Sequence, residues 1–354
     1  MNVPSIYKSL PLLLLFVLSG CDDNQFTDVI GDHWIKEPEV CLEDTTPVTF
    51  KKVAYWSPDN DDPDASSDNL ELVHFSSLTH VNYASITFNA DATLNTPEDI
   101  DPLEDLVLLA HTQSVKVAIS LGNADDTIFN SIASDKTLTK TFVNNIVNFI
   151  EEYALDGIDI NWSTIDSDSE SDRLKYLLKK LSDELKEQGK FLSMTAPSGE
   201  DEKLANKLST ENFQYVDFIN LLAFDSTNND SLHSSMQDAK DAITYWTQRC
   251  VIKNKLVLGV PFYSRGSAVQ SYDYLIRDDI RYACVDKSER RDYNGIPTVV
   301  EKTNYALLKA GGVMMKSLEQ DVYIRHNDDV DFSEYSLLNV INETALGNQV
   351  TVCQ

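Results

Sequence analysis

Basic residues are scarce in this chain. Its 354 residues carry 29 Lys and Arg against 57 Asp and Glu, a formal net charge of −28. A surface of that sign repels phosphate backbones, which excludes nucleic acid and other anionic polymers as bulk partners. The same acidity keeps an exported protein soluble. The apolar run Leu10 to Leu18 falls short of the about 20 residues that span a bilayer. The five cysteines come with no CxxC and no paired-histidine spacing, which argues against zinc, and no motif calls for a cofactor. Internal repeats and compositional breaks are absent, which favours one domain. No Gly-rich loop follows the first apolar strand-like run, where Trp56 leads into Ser57-Pro58-Asp59. That counts against an open dinucleotide-binding sheet.

What is present begins with an export segment. Lys8 precedes the apolar run, and Leu18-Ser19-Gly20-Cys21 is similar to the lipobox of bacterial lipoproteins, whose Cys carries the lipid. Residues 1–20 read as the signal peptide, with an ordinary secretory signal and an incidental Cys as the other reading. Residues 21–50, polar and irregular, read as the lipidated Cys21 and a tether. The expected location is the bacterial cell envelope, attached to the membrane through Cys21. Asp22 resembles the signal that keeps enteric lipoproteins at the inner membrane.

From Lys51 onward, short apolar runs alternate with amphipathic helical patterns. The runs are Lys52–Trp56, Leu78–Thr87, Val115–Leu121, Gly157–Trp162, Phe191–Ala196, Phe218–Phe224, Leu256–Phe262 and Val313–Ser317. Eight near-continuous apolar strands are what a parallel sheet buried on both faces requires. Leu174, Leu177, Leu178, Leu181 and Leu185 follow helical spacing, with Gly189 placed to end that helix. Phe142, Ile146, Phe149 and Ile150 form a second such face. The pattern predicts a single α/β domain, a (β/α)8 TIM barrel over residues 51–345 with a tail at 346–354. The segment between the last two strands is too short for a large inserted domain. Four cysteines remain after Cys21, enough for two disulfides in an exported chain. Three pairings are possible. Because the termini of a closed barrel lie close together, Cys41–Cys353 and Cys250–Cys284 are expected.

Asp156-Gly157-Ile158-Asp159-Ile160-Asn161-Trp162-Ser163 resembles the DGxDxDxE catalytic strand of the family 18 glycoside hydrolases, which include the chitinases. Five further segments resemble that family in the right order. They are Leu78 to Ala84, Ser120-Leu121-Gly122, Leu221 to Asp225, Gly259 to Tyr263, and Tyr293 to Pro297 followed by Gly311 to Met314. The resemblance implies a mechanism in which one Glu protonates the glycosidic oxygen and the substrate's own N-acetyl group acts as nucleophile, an exception to the two-carboxylate scheme.

Four positions that the family uses have changed. Ser163 stands where the acid belongs, Asn161 where an orienting carboxylate belongs, Phe224 where a Tyr donor belongs and Lys316 where a Trp floor belongs. Ser85 also replaces an aromatic after Tyr83-Ala84. Asp156, Asp159 and Asp225 are retained. By resemblance, Trp56, Asp159, Asp225 and Tyr263 are the candidate glycan-binding residues, although Trp56 reads equally as core. Trp162 reads as part of the barrel wall. Lys316 is expected to fill the former pocket, paired with Asp159 or Asp225, or else to point to solvent.

The acidic runs Asp59 to Asp68 and Asp166 to Asp172 read as solvated loops rather than a calcium loop, since the turn Gly and terminal Glu are missing. The leading expectation is a chitinase-like protein without catalysis that binds N-acetylglucosamine polymers. One alternative is a hydrolase with a relocated acid, for which Asp166 is the candidate. The other is a scaffold for a protein partner.

Overall fold

Eight strands close into a parallel barrel: β1 (Lys51–Trp56), β2 (His80–Phe88), β3 (Lys116–Gly122), β4 (Gly157–Asn161), β5 (Phe191–Pro197), β6 (Phe218–Leu222), β7 (Leu256–Pro261) and β8 (Gly312–Lys316). Each pairs with its sequence neighbour, and β8 returns to β1 with Gly312 opposite Lys51. The computed structural model describes residues 41, 49–58, 67–122, 125–162, 164–201, 205–225, 233–266, 269–288, 291–322 and 333–353. The signal segment, Cys21, Asp22, most of the tether, residues 59–66 and Ser163 lie outside the described residues. All eight expected runs are strands. The sixth ends at Leu222, so Phe224 stands in the loop beyond it.

Helices surround the barrel: α1 (Asp101–Thr112), α2 (Thr127–Ser134), α3 (Lys136–Glu152), α4 (Asp168–Glu187), α5 (Met236–Gln248), α6 (Tyr272–Asp278), α7 (Ile296–Lys309) and α8 (Leu337–Ala345). Their starts are written locally. Asp135 caps α3 by accepting from the N–H groups of Thr137 and Leu138. Ser235 and Asp238 form a reciprocal capping box on α5. The leucines of α4 and the Phe142 to Ile150 face of α3 are buried as their spacing predicts. Gly189 follows α4 with φ +69°, a left-handed turn that favours glycine.

Two apolar layers result. The outer layer joins the strands to the helices. The inner one is small: Val53, Tyr55, Ala118, Phe191, Phe218, Val257 and Met314 fill the barrel. Two glycines make room for it. A Cβ on Gly157 would stand 2.4 Å from the Phe191 carbonyl oxygen, and one on Gly259 would stand 2.7 Å from the Phe224 ring. Between β7 and β8 lie α6, α7 and a small antiparallel sheet of Arg265–Gly266, Lys287–Ser288 and Arg291–Asp292.

The disulfides differ from the expectation. Cys41 is bonded to Cys250 and Cys284 to Cys353, with Cα separations of 4.9 and 5.3 Å. Nearness of the termini does not make their cysteines partners. Cys250 lies on the turn between α5 and β7, at the end of the barrel where the chain also enters β1. Cys284, in the excursion between β7 and β8, takes the C-terminal tail.

Candidate functional site

Barrel chemistry is placed where strands end and loops begin. Here the inward positions of consecutive strands carry buried polar residues in apolar surroundings: Tyr55, Asn82, Ser120, Asp159, Ser193 and Asn220. Ser120, Asp159 and Ser193 lie side by side across β3, β4 and β5. They form a well around Asp159, which is 0% exposed. Its Oδ2 accepts from Tyr55 Oη at 2.7 Å and Ser120 Oγ at 2.8 Å. Its Oδ1 accepts from Ser193 Oγ at 2.6 Å and Asn220 Nδ2 at 3.2 Å. Burial pushes the Asp159 pKa up, and the four donors only partly restore it. Burial and the Asp159 charge push the Tyr55 phenol well above its ordinary range, so it stays a donor.

Lys316 does not join Asp159 or Asp225 in an ion pair among the described residues. Its Nζ lies 5.6 Å from the centroid of the Tyr55 ring. This corrects the expected pairing. Four neutral donors already occupy the Asp159 oxygens, and the ammonium lies instead over the aromatic face, where its charge also reaches Glu319. Asn161, at the end of β4, is half-buried, and its Oδ1 accepts from Thr195 Oγ1 at 2.9 Å.

Asp156 belongs to the other end of the barrel. It precedes β4, and its Oδ2 accepts from the Val117 N–H and from His111 Nε2, both at 2.8 Å. Three residues of extended chain, at about 3.3 Å each, separate it from Asp159. It therefore lies away from the mouth, where it holds the start of the strand.

Asp225, just past β6, has φ +60°, a left-handed conformation that Asp tolerates better than most residues. Arg265 Nε donates to its Oδ1 at 2.7 Å, and Tyr263 Oη reaches both oxygens at 3.2 and 3.1 Å. Burial disfavours its charge, but Arg265, with help from Tyr263, outweighs that and holds the carboxyl below the usual range. The Asp225 N–H donates to Nδ1 of the buried His233 at 3.3 Å. Burial lowers the His233 pKa to about 4. The ring is thus neutral at pH 7, and its 3.4 Å approach to Asp225 is not an ion pair. Phe224 folds back over Gly259, edge-on to Tyr263 at 6.4 Å. A groove of about 370 Å³ opens beside it, with Glu200, Asp238 and Asp241 in its lining.

Below this rim lies Lys302 of α7, 0% exposed. Its Nζ donates to Ser234 O, Ser234 Oγ and Asn294 Oδ1, each at 2.7 Å. Ser234 Oγ in turn donates to the Ala223 carbonyl at 2.6 Å. The network anchors the exit of β6. Because its acceptors are neutral, burial brings the Lys302 pKa down to about 7.

Glu319, three residues past β8, has an unusual carboxyl at the same end. Its Oε2 accepts from the Ser57 N–H at 3.2 Å. Burial raises its pKa to about 7 although Ser57 and Lys316 favour the charge. Sequence reasoning missed this residue, together with Arg265, His233 and the ring of donors around Asp159. The donors had a readable signal, since they are polar residues at inward positions of apolar strands. Arg265 and His233 had none.

Trp56 is 3% exposed and packs against Tyr83 at 5.9 Å. It leaves no open ring face for a sugar, which corrects its assignment as a glycan-binding platform. Trp162 stacks on Phe129 at 5.1 Å, inside the wall as expected. The acidic run after β4 starts α4: Ser167 Oγ accepts from the Glu170 N–H, and Asp168 pairs with Lys207 at 3.2 Å. Asp166 sits exposed before that helix, with its N–H on the Glu170 carboxylate. No group of three or more His, Cys, Asp or Glu among the described residues is placed to hold a metal ion.

Comparison with known proteins matches this architecture. A chitinase from Bacteroides thetaiotaomicron superposes with a TM-score of 0.74 and 26% identity, over 85% of this chain and 99% of that one. A family 18 chitinase from the chitin utilization locus of Flavobacterium johnsoniae gives 0.72 and 26%, over 84% and 94%. Chitinase 1 of Aphanocladium album is 28% identical over 236 residues, 54% of this chain and 55% of that protein. The chain spans about half or less of the length of the first curated relatives it matches. The model of the family described as "Glycosyl hydrolases family 18" matches residues 51–335, and the chain therefore belongs to that family.

Proposed function

We propose that this is a chitinase-like protein that binds N-acetylglucosamine-containing glycans without cleaving them. One observation carries the reading: the end of β4 offers no usable acid. Position 163 is Ser, Asn161 is a neutral amide bonded to Thr195, and Asp159 is fully buried with its oxygens filled by four donors. Loss of a proton donor alone forfeits roughly 10²–10⁴-fold in rate. Phe224 and Lys316 remove a donor and a stacking surface from the same subsite. Binding then falls to the rim, where Asp225, Arg265 and Tyr263 present polar groups at the mouth.

Fluorescent chitooligosaccharides titrated into the protein, alongside turnover of a fluorogenic chitobioside, test this. Saturable binding that weakens in Asp225→Ala, without turnover, is the expected result. Ser163→Glu alone should not restore cleavage, because three other positions are missing. Glu319 favours a second reading, a relocated acid, since its carboxyl is half-protonated near neutral pH. Turnover that survives Ser163→Ala and disappears in Glu319→Gln would establish it in place of the first. Neither binding nor turnover would leave a scaffold for a protein partner. In the same reading the chain is exported and held to the envelope membrane through lipid on Cys21. Labelled palmitate that is incorporated equally by Cys21→Ala would refute that.

A further inference from the structure

The N-terminal ends of the strands carry a chemistry that the glycan reading does not use. An open pit of about 780 Å³ lies there, and Lys51, His80, Lys116, Lys190, Lys255 and Asp217 are among the residues that line it. Its floor is aromatic. Phe191 and Phe218 stack at 5.6 Å, and His80 meets them edge-on at 5.0 and 5.1 Å. Lys51 Nζ lies 5.8 Å over the Phe218 ring and Lys116 Nζ 5.9 Å over the Phe191 ring.

Three of the lysines have hydrogen-bond partners. Lys255 donates to the carbonyls of Phe213 and Val216 at 2.6 and 2.7 Å, Lys190 to that of Leu155 at 2.6 Å, and Lys51 to that of Asn254 at 3.1 Å. Such contacts are ordinary near helix ends and turns, where carbonyls attract cations. Lys116 differs. It is exposed and has no hydrogen-bond acceptor among the described residues, only the Phe191 ring.

Carbonyls do not neutralise charge, and the carboxylates near the pit among the described residues are Asp217, whose charge acts on Lys51 and Lys255, and Asp156, which also meets His111. Asp217 Oδ2 accepts from the Leu192 N–H at 2.9 Å, and Asp156 Oδ2 from the Val117 N–H at 2.8 Å. Among the described residues four ammonium groups therefore share two carboxylates, inside a chain whose net charge is −28. Burial, then Lys116 and Lys51, push the His80 pKa down to about 4, as expected beside crowded positive charge. A concave surface with an excess of one sign and low-dielectric walls focuses its field on whatever enters.

We propose that this pit is an anion-binding site for a compact oxyanion of the phosphate class. Lys116 supplies the free charged donor, and Lys51 and Lys255 contribute hydrogens not spent on carbonyls. The phosphate belongs either to a soluble ester or to the headgroup of an anionic lipid. Thr49, through which the chain enters β1, lines the same pit.

The test uses the full chain carrying Cys21→Ala, so that no acyl chain contributes. Inorganic phosphate is titrated at low salt by calorimetry and thermal melting. Phosphatidylcholine vesicles with and without phosphatidylglycerol are tested by co-sedimentation. Phosphate is expected to bind saturably and raise Tm. Lys116→Gln is expected to weaken it roughly tenfold or more, the loss of one charge-assisted hydrogen bond, whereas Lys309→Gln at the end of α7 leaves it unchanged. Vesicle capture that needs phosphatidylglycerol and Lys116 assigns the phosphate to a lipid headgroup; phosphate binding without capture assigns a soluble ester. No saturable phosphate response, or one that Lys116→Gln leaves unchanged while circular dichroism shows it folded, overturns the proposal. Glycan binding at the opposite end is measured separately and fails independently.

Discussion

At the C-terminal ends of the strands, one buried carboxylate is surrounded by four neutral donors; at the N-terminal ends, four lysines surround two carboxylates. The first arrangement is saturated. Both Asp159 oxygens accept from two donors each, so a ligand group reaches that carboxylate only by displacing one. The second has donors to spare. The contrast shows that bulk charge is a poor guide to local chemistry: an acidic chain conceals a basic recess. It also shows Asp159 out of contact with solvent, its oxygens held by Tyr55, Ser120, Ser193 and Asn220.

The strongest test of the contrast is Asp159→Ala. It strands the three buried hydroxyls of Tyr55, Ser120 and Ser193, while Asn220 keeps its bond to Tyr55 Oη at 2.8 Å, and unsatisfied groups of that kind give an expected loss on the order of 3–5 kcal/mol. Urea unfolding reads it, and a midpoint equal to wild type would mean that the well is not a centre of stability. Next is Lys302, whose folded pKa of about 7 lies below its ordinary 10.5. The unfolded chain binds the extra proton between those values, so this group's stabilisation is complete above 10.5 and is lost as pH falls through 7. Stability should rise from pH 7 toward 10 with a slope of up to about 1.4 kcal/mol per pH unit from this site. Thermal melts of Lys302→Met should flatten that slope; an unchanged slope would place the titration elsewhere.

Lys316→Ala removes a cation from the Tyr55 face, with an expected cost of about 0.5–1 kcal/mol, measured in the same urea assay. A cost several times larger would mean that Lys316 is a necessary partner of the Asp159 well. Smallest is Lys116→Gln in the absence of anion, expected within about 0.5 kcal/mol of wild type in either direction. A clear destabilisation would mark Lys116 as a structural cap and erase the difference between the two ends.

The strands were legible because a parallel barrel buries both faces of each one, which writes eight apolar runs into the chain. The helices were legible in their periodicity and caps. The departures at Asn161, Phe224 and Lys316 could be read against the family pattern; where those side chains settle could not. Whether Lys316 meets a carboxylate or a ring depends on which acceptors other strands have already filled, and that is a property of the closed barrel. Asp156 and Asp159 stand three residues apart in sequence yet serve opposite ends, because strand rise converts a short spacing into depth. The disulfides were misread because proximity of two segments leaves open which other turns crowd the same neighbourhood.

The Cys41–Cys250 bond has a mechanical consequence. A pull on the N-terminal segment reaches Cys41 before it reaches β1, ten residues later at Lys51. The load passes through sulfur to the turn ahead of β7. The first strand, whose parallel ladders close the barrel against β2 and β8, is thereby spared from being unzipped, and the bond acts as a strain relief at the point where the chain enters the domain.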